Sequence, residues 1–281
     1  MLSEIIRLCK KYDIRLSPRL SQHFLHAEHV LDLEVSAASI SENDIVLDIG
    51  AGFGFLTEKL AKFAKRVYAV EIDPRILKVL SVRLRDLIDS GRVVVIRGDI
   101  LRVDLPTDVN KIVSNPPFHI ISHILFRIAR TYFVKSSFDL CVLIVQLDYA
   151  KKMMARLGEK RSRLSATIQY FAEVEILHRI SRRNFFPVPE VDAAIVRLVP
   201  RRVKHLVDFE VYNYVITRLF NMPNRVLRRV IRHQFPDINT RLVLEELISH
   251  GISTTKRIRE LSNEELEVIA KIIWEHSKTR H

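Results

Sequence analysis

The segment Ser114-Asn115-Pro116-Pro117-Phe118 carries the most specific chemistry in the chain. An exocyclic amine on a nucleobase is a weak nucleophile, because its lone pair is delocalised into the ring. The Asn115 side-chain oxygen and the Pro116 carbonyl can each accept a hydrogen from such an amine and so favour a tetrahedral, attacking nitrogen, while Phe118 offers a face on which the base can stack. No strong general base is required. Asn115, Pro116, Pro117 and Phe118 together form the candidate catalytic segment; the plainer reading is a proline turn that closes a strand.

Such a segment needs a frame that holds it at the end of a strand. Short β-branched or apolar runs at 45–49, 67–72, 93–96 and 111–114 alternate with stretches of helical spacing, such as LTEKLAKFA and PRILKVLSVRLRDLI. That alternation predicts an α/β fold with a parallel sheet wrapped by helices. Further strands are expected at 138–146, 174–180 and 193–200, ending the first domain near Pro200. Beyond residue 205 the strand pattern stops and apolar residues recur at helical spacing in YNYVITRLF, VLRRVIRHQF, LVLEELI and LEVIAKIIW. Two domains are expected, 1–202 around the sheet and 203–281 as a small all-helical domain.

Strand IVLDI runs directly into Gly50-Ala51-Gly52-Phe53-Gly54 and then a helix, an arrangement suited to a ligand lying against bare backbone. A dinucleotide fold calls for a glycine where Phe55 stands, so the loop fits the methionine-end pocket of a methyltransferase better than an NAD site. Glu71 ends the next strand about twenty residues on, where a carboxylate can accept both ribose hydroxyl hydrogens, and Asp99 follows the third strand, placed to accept from an adenine amino group. Either acid alone could be a solvated loop residue. Together with the glycine loop they predict S-adenosylmethionine as cofactor on a Rossmann-like methyltransferase sheet.

With these motifs in order, the chain resembles the KsgA-type ribosomal RNA adenine dimethyltransferases over almost its whole length. Ser21-Gln22-His23-Phe24-Leu25 resembles the family's N-terminal cofactor motif, Gly50 to Thr57 its glycine loop, Glu71-Ile72-Asp73 its ribose motif and Gly98-Asp99-Ile100 its adenine motif. The resemblance therefore implies that Gln22, His23, Leu25, Gly50, Gly52, Gly54, Glu71, Ile72, Asp99, Ile100 and Asn115 contact the cofactor. Phe185-Phe186-Pro187-Val188-Pro189-Glu190-Val191-Asp192 resembles a segment particular to this family, with Phe185 as a second stacking face for the base. The implied reaction is dimethylation of two adjacent adenosines near the 3′ end of small-subunit ribosomal RNA, within the pre-ribosomal small subunit. Family members usually have Leu where Pro116 stands, Gly where Ser21 and Ser162 stand, Ser where Ala193 stands, and Lys-Glu where Leu147-Asp148 stand; Pro116 keeps its carbonyl acceptor. The alternatives are a fold-retaining ribosome-binding or nucleic-acid-binding assembly factor with little methyl transfer, or another Asn-Pro-Pro-aromatic methyltransferase acting on DNA or protein glutamine.

Composition fits an RNA partner. The net charge is +12, and residues 151–204 hold 13 basic against 5 acidic side chains, a concentrated positive field that attracts polyanions. Arg225, Arg228, Arg229 and Arg232 fall at i, i+3, i+4 and i+7, so one helix face would meet phosphates; a solvated face is the bland reading. Cys9 and Cys141 are the only cysteines, and no Cys/His spacing resembles a zinc site, so no metal is expected. Neither a membrane anchor nor a secretion signal is expected, and the protein reads as a cytoplasmic monomer.

Overall fold

The computed structural model describes residues 1–16, 23–158 and 161–278. Two compact units emerge, one of Met1–Lys151 and Ala172–Pro200, the other of Lys152–Phe171 and Arg201–His281. No described helix is long and apolar enough to cross a membrane.

The first unit is a seven-stranded sheet, its strands numbered here in chain order: β2 (Ile45–Ile49), β3 (Arg66–Glu71), β4 (Val93–Arg97), β5 (Lys111–Ser114), β6 (Leu140–Gln146), β7 (Ala172–Ile180) and β9 (Ala193–Pro200). Their spatial order is β4-β3-β2-β5-β6-β9-β7. The first five run parallel, and β9 is inserted antiparallel between β6 and β7. Every residue from Cys141 to Val145 is buried, as are Val46, Leu47, Ile112 and Val113, which is why these strands read as continuous apolar runs rather than alternating ones. Cys141 is a core thiol. Helices α2 (Glu28–Ala38) and α3 (Phe55–Ala61) cover the sheet, and Pro74 at the first turn of α4 (Pro74–Arg83), with Asp73 capping the Arg75 N–H at 2.9 Å, starts that helix sharply after β3.

A two-stranded ladder pairs β1 (Phe24–Leu25) with β8 (Phe185–Phe186), Phe24 opposite Phe186 and Leu25 opposite Phe185. The N-terminal motif and the Phe-Phe-Pro segment, 160 positions apart in sequence, are thereby neighbours.

The expected division at 202–203 needs one amendment: Lys152–Phe171 clusters with the helical unit. Its helix α8 (Arg163–Phe171) packs on α9 (Phe209–Leu219) and α12 (Asn263–Lys278). Tyr170 stacks on Tyr212 at 3.9 Å and on His205 at 3.8 Å, and the Tyr212 hydroxyl donates to the Ala166 carbonyl at 3.2 Å. Linear composition could not reveal this, because the strand pattern resumes immediately afterwards at β7. The arginine stripe also needs correction. Helix α10 is Leu227–Gln234, so Arg228, Arg229 and Arg232 share a helix but Arg225 lies before it, in the turn where its N–H donates to Met222. The Val226–Arg257 bridge holds Val226 in extended backbone, and the helix starts two residues later than a continuous arginine face requires.

Candidate active site

Strand order reverses between β2 and β5, and a crevice opens beyond their carboxyl ends, the usual ligand position in an open parallel sheet. A cavity of about 180 Å³ lies there. The loop after β2 forms one wall. Gly50 and Ala51 N–H groups both donate to the Val70 carbonyl, at 2.8 and 3.0 Å, which turns the chain back over the sheet edge. Gly52 sits at φ +59°, and a Cβ there would come within 2.8 Å of the Phe24 ring, so conformation and space both demand glycine.

Glu71, at the end of β3, is held by backbone donors. Its Oε2 accepts from Gly52 N–H at 3.0 Å and its Oε1 from Ile72 and Asp73 N–H at 2.8 and 2.9 Å. Burial raises its pKa against those bonds. Three of roughly four acceptor positions are thus taken, leaving one on Oε2 toward the cavity.

Asp99 lines the cavity after β4, its Oδ1 accepting from Leu101 N–H at 2.9 Å. Ile72, largely exposed, and Ile100, buried, add apolar walls on the same side. His23 and Leu25 also line the cavity, with His23 Nδ1 donating to the Pro187 carbonyl at 2.8 Å. Gln22 lies outside the described residues, as does Ser21. Gly54 is the left-handed N-cap of α3 and faces Leu84 and Leu80, so its part is to let that helix begin.

Asn115 follows β5 and lines the cavity with Pro117. Its Nδ2 donates to Glu34 Oε2 at 3.2 Å, and its Oδ1 is buried with no hydrogen-bond partner among the described residues. An amide oxygen enclosed in this way is an acceptor awaiting a donor. Pro116 is buried, its carbonyl accepting no hydrogen bond among the described residues, and Phe118 is half-buried beside the cavity. The Phe118 ring stacks toward His23 at 6.4 Å and meets the edge of Phe185 at 6.3 Å. Phe185 departs from expectation: only 2% exposed, it is locked in the core by the β1–β8 ladder and backs Phe118 instead of offering a face of its own.

Two acids here escaped the sequence reading. Glu34 on α2 is fully buried, and burial, then the Asp48 carboxylate, push its pKa well above the usual range, against the Asn115 hydrogen bond. Asp48 on β2 lines the cavity and is pushed up to about 7 by burial and by Glu71, although the Thr57 hydroxyl donates to it at 2.6 Å. A signal for Glu34 did exist: it falls in helical register with Val30, Leu31 and Ala38 on the apolar face of α2.

Arg228, Arg229 and Arg232 are exposed on α10, opposite buried Leu227, Val230 and Ile231, and Arg225 is exposed in its turn. Among the described residues no three His, Cys, Asp or Glu gather as metal ligands.

Residues 14–275 match the family model described as ribosomal RNA adenine dimethylase. A probable ribosomal RNA small subunit methyltransferase A of Pyrococcus abyssi is 33% identical over 282 residues, covering 98% of each chain. One from Methanococcoides burtonii is 36% identical over 278 residues, covering 97% of this chain and 98% of its own. Among solved structures, a dimethyladenosine transferase from Plasmodium falciparum is similar, with a TM-score of 0.77 at 26% identity, over 92% of this chain and 98% of that one.

Proposed function

The chain belongs to the ribosomal RNA adenine dimethylase family, and from that premise we propose how its cavity works. It is an S-adenosylmethionine-dependent enzyme that dimethylates adenine N6 amines in small-subunit ribosomal RNA, its targets being two adjacent adenosines near the 3′ end. It acts in the cytoplasm on the pre-ribosomal small subunit.

One observation carries the assignment of roles: the buried, unpartnered Oδ1 of Asn115 beside a glycine-walled cavity. That orphaned acceptor fits a base amine, and the bare glycine backbone lining the cavity with the remaining Glu71 acceptor fits a ribose-bearing cofactor. S-adenosylmethionine supplies the electrophilic methyl group. Gly50 and Gly52 let it lie on backbone, Glu71 Oε2 accepts one ribose hydroxyl, and Asp99 accepts from the adenine amino group between Ile72 and Ile100. Asn115 Oδ1 and the Pro116 carbonyl each accept a hydrogen from the target amine, so its lone pair leaves conjugation with the ring as it attacks. Phe118 stacks on the base, stiffened by Phe185 behind it. Exposed Arg225, Arg228, Arg229 and Arg232 meet phosphates, a role supported by the absence of carboxylate partners for them among the described residues.

Incubating the protein with methyl-labelled S-adenosylmethionine and immature small subunits should place label in dimethyladenosine. No label in adenosine would remove the enzymatic reading.

A further inference from the structure

The Asn115 amide must choose which end faces the target amine, since oxygen and nitrogen ends are nearly the same shape. Only the oxygen end can accept; the NH2 end would set donor against donor. Within the chain, the amide's one hydrogen-bonding neighbour among the described residues is Glu34, with Nδ2 donating to Oε2 at 3.2 Å. We infer that Glu34 is a positioning residue for methyl transfer: as an acceptor it draws Nδ2 inward and so presents Asn115 Oδ1 to the adenine amine. The inference rests on the adenine-methylation reading.

The geometry makes this control direct. Glu34 is fully buried, so no water competes for the amide at that end, and its second oxygen, Oε1, has no partner among the described residues. An ionised carboxyl can only accept, and then one amide orientation is allowed. A neutral carboxyl can donate, and a proton on Oε2 would favour the reversed amide, with NH2 facing the substrate. Methyl transfer should therefore fall as pH drops through the Glu34 titration, which burial raises well above the ordinary carboxylate range.

Other titratable groups surround this pair. Asp48 on β2 is the charged neighbour acting on Glu34 and is itself pushed up to about 7, so the same pH series on Asp48→Asn separates its titration from that of Glu34. On α2 and α3, Glu28 and Asp32 are paired with Lys59; on β5, Lys111 is held by Asp44. The Cys141 thiol of β6 is buried and raised far out of range, and Arg197 of β9 pairs with Glu175.

The test is Glu34→Gln, the same shape without the titration, followed by two readouts. In single-turnover methylation of immature small subunits, the variant should lose on the order of tenfold in rate at neutral pH, the scale of a misdirected catalytic group. It should also lose the acid-side inflexion of the wild type while binding S-adenosylmethionine within about twofold by calorimetry. In NMR of the cofactor-free protein, the Asn115 side-chain amide signal, assigned with Asn115→Ala, should shift with pH in the wild type and not in Glu34→Gln. An Asn115 signal that does not titrate in the wild type, or an acid-side inflexion that Asp48→Asn removes and Glu34→Gln leaves in place, overturns the inference. A titrating amide in a wild type that transfers no methyl to adenosine sustains the control of the amide and contradicts only the function.

Discussion

The two ends of the cavity are made in different ways. The end proposed for the cofactor is mostly backbone: a glycine loop, a carboxylate clamped by three N–H groups, and acids at or just after strand ends, with Gly52 and Glu71 only 19 positions apart. The end proposed for the base depends on side chains brought from afar, Asn115 meeting Glu34 across 81 positions through the packing of α2 on β5. The difference teaches that the first end is fixed as soon as the strands form, whereas the second has its geometry only if a helix is seated correctly. It also separates binding from chemistry, and substitutions should divide along the same line.

The largest effect is expected from Asn115→Ala. Removing the acceptor should lower methyl transfer by about 100-fold or more while leaving S-adenosylmethionine affinity within a few-fold, as read by single-turnover kinetics beside calorimetry. Equal losses in both would merge the two ends into one. At the other end, Gly52→Ala forces a Cβ against Phe24 at a left-handed backbone position. Strain of about 1–3 kcal/mol should weaken cofactor binding on the order of tenfold. A variant with normal affinity and a slow methyl transfer step would reverse the assignment of that wall.

Asp48→Asn should give the smallest change, visible in stability. The Asp48 pKa is raised on folding to about 7, so the native state binds its proton more tightly than the unfolded chain. Its contribution is complete below the unfolded value of about 4 and is lost as pH rises toward 7. The melting temperature of cofactor-free Asp48→Asn, measured against wild type, should therefore gain a few degrees across that window and stay level above it. Parallel curves from pH 4 to 8 would mean that the carboxyl is not strained by burial.

Much of this was legible because it is local. Strands β2, β5 and β9 stand where the apolar runs predict them, and the glycine loop and both strand-end acids line one cavity, because each motif is read from the strand that carries it. What was not legible depends on contacts distant in sequence. Phe185 looks like an exposed aromatic until its pairing with Leu25 seals it, and Arg225 looks helical until the bridge from Val226 to Arg257 delays α10. Lys152–Phe171 is assigned to the sheet by continuity and to the helices by the stacking of Tyr170 on Tyr212. Glu34 was hidden for a different reason: its register on α2 marks a buried position, but only the partner 81 positions away gives that burial a purpose.

The position of β9 bears on how the protein is made. Because this last strand is inserted between β6 and β7, neither of those can complete its hydrogen bonding until the chain has been synthesised as far as Pro200. A nascent or truncated chain ending before Ala193 would expose the apolar edge of β6, Cys141 to Val145, as a template for pairing with other chains. Closure of the sheet is thus a late, long-range event, of the slow kind that leaves an intermediate open to aggregation.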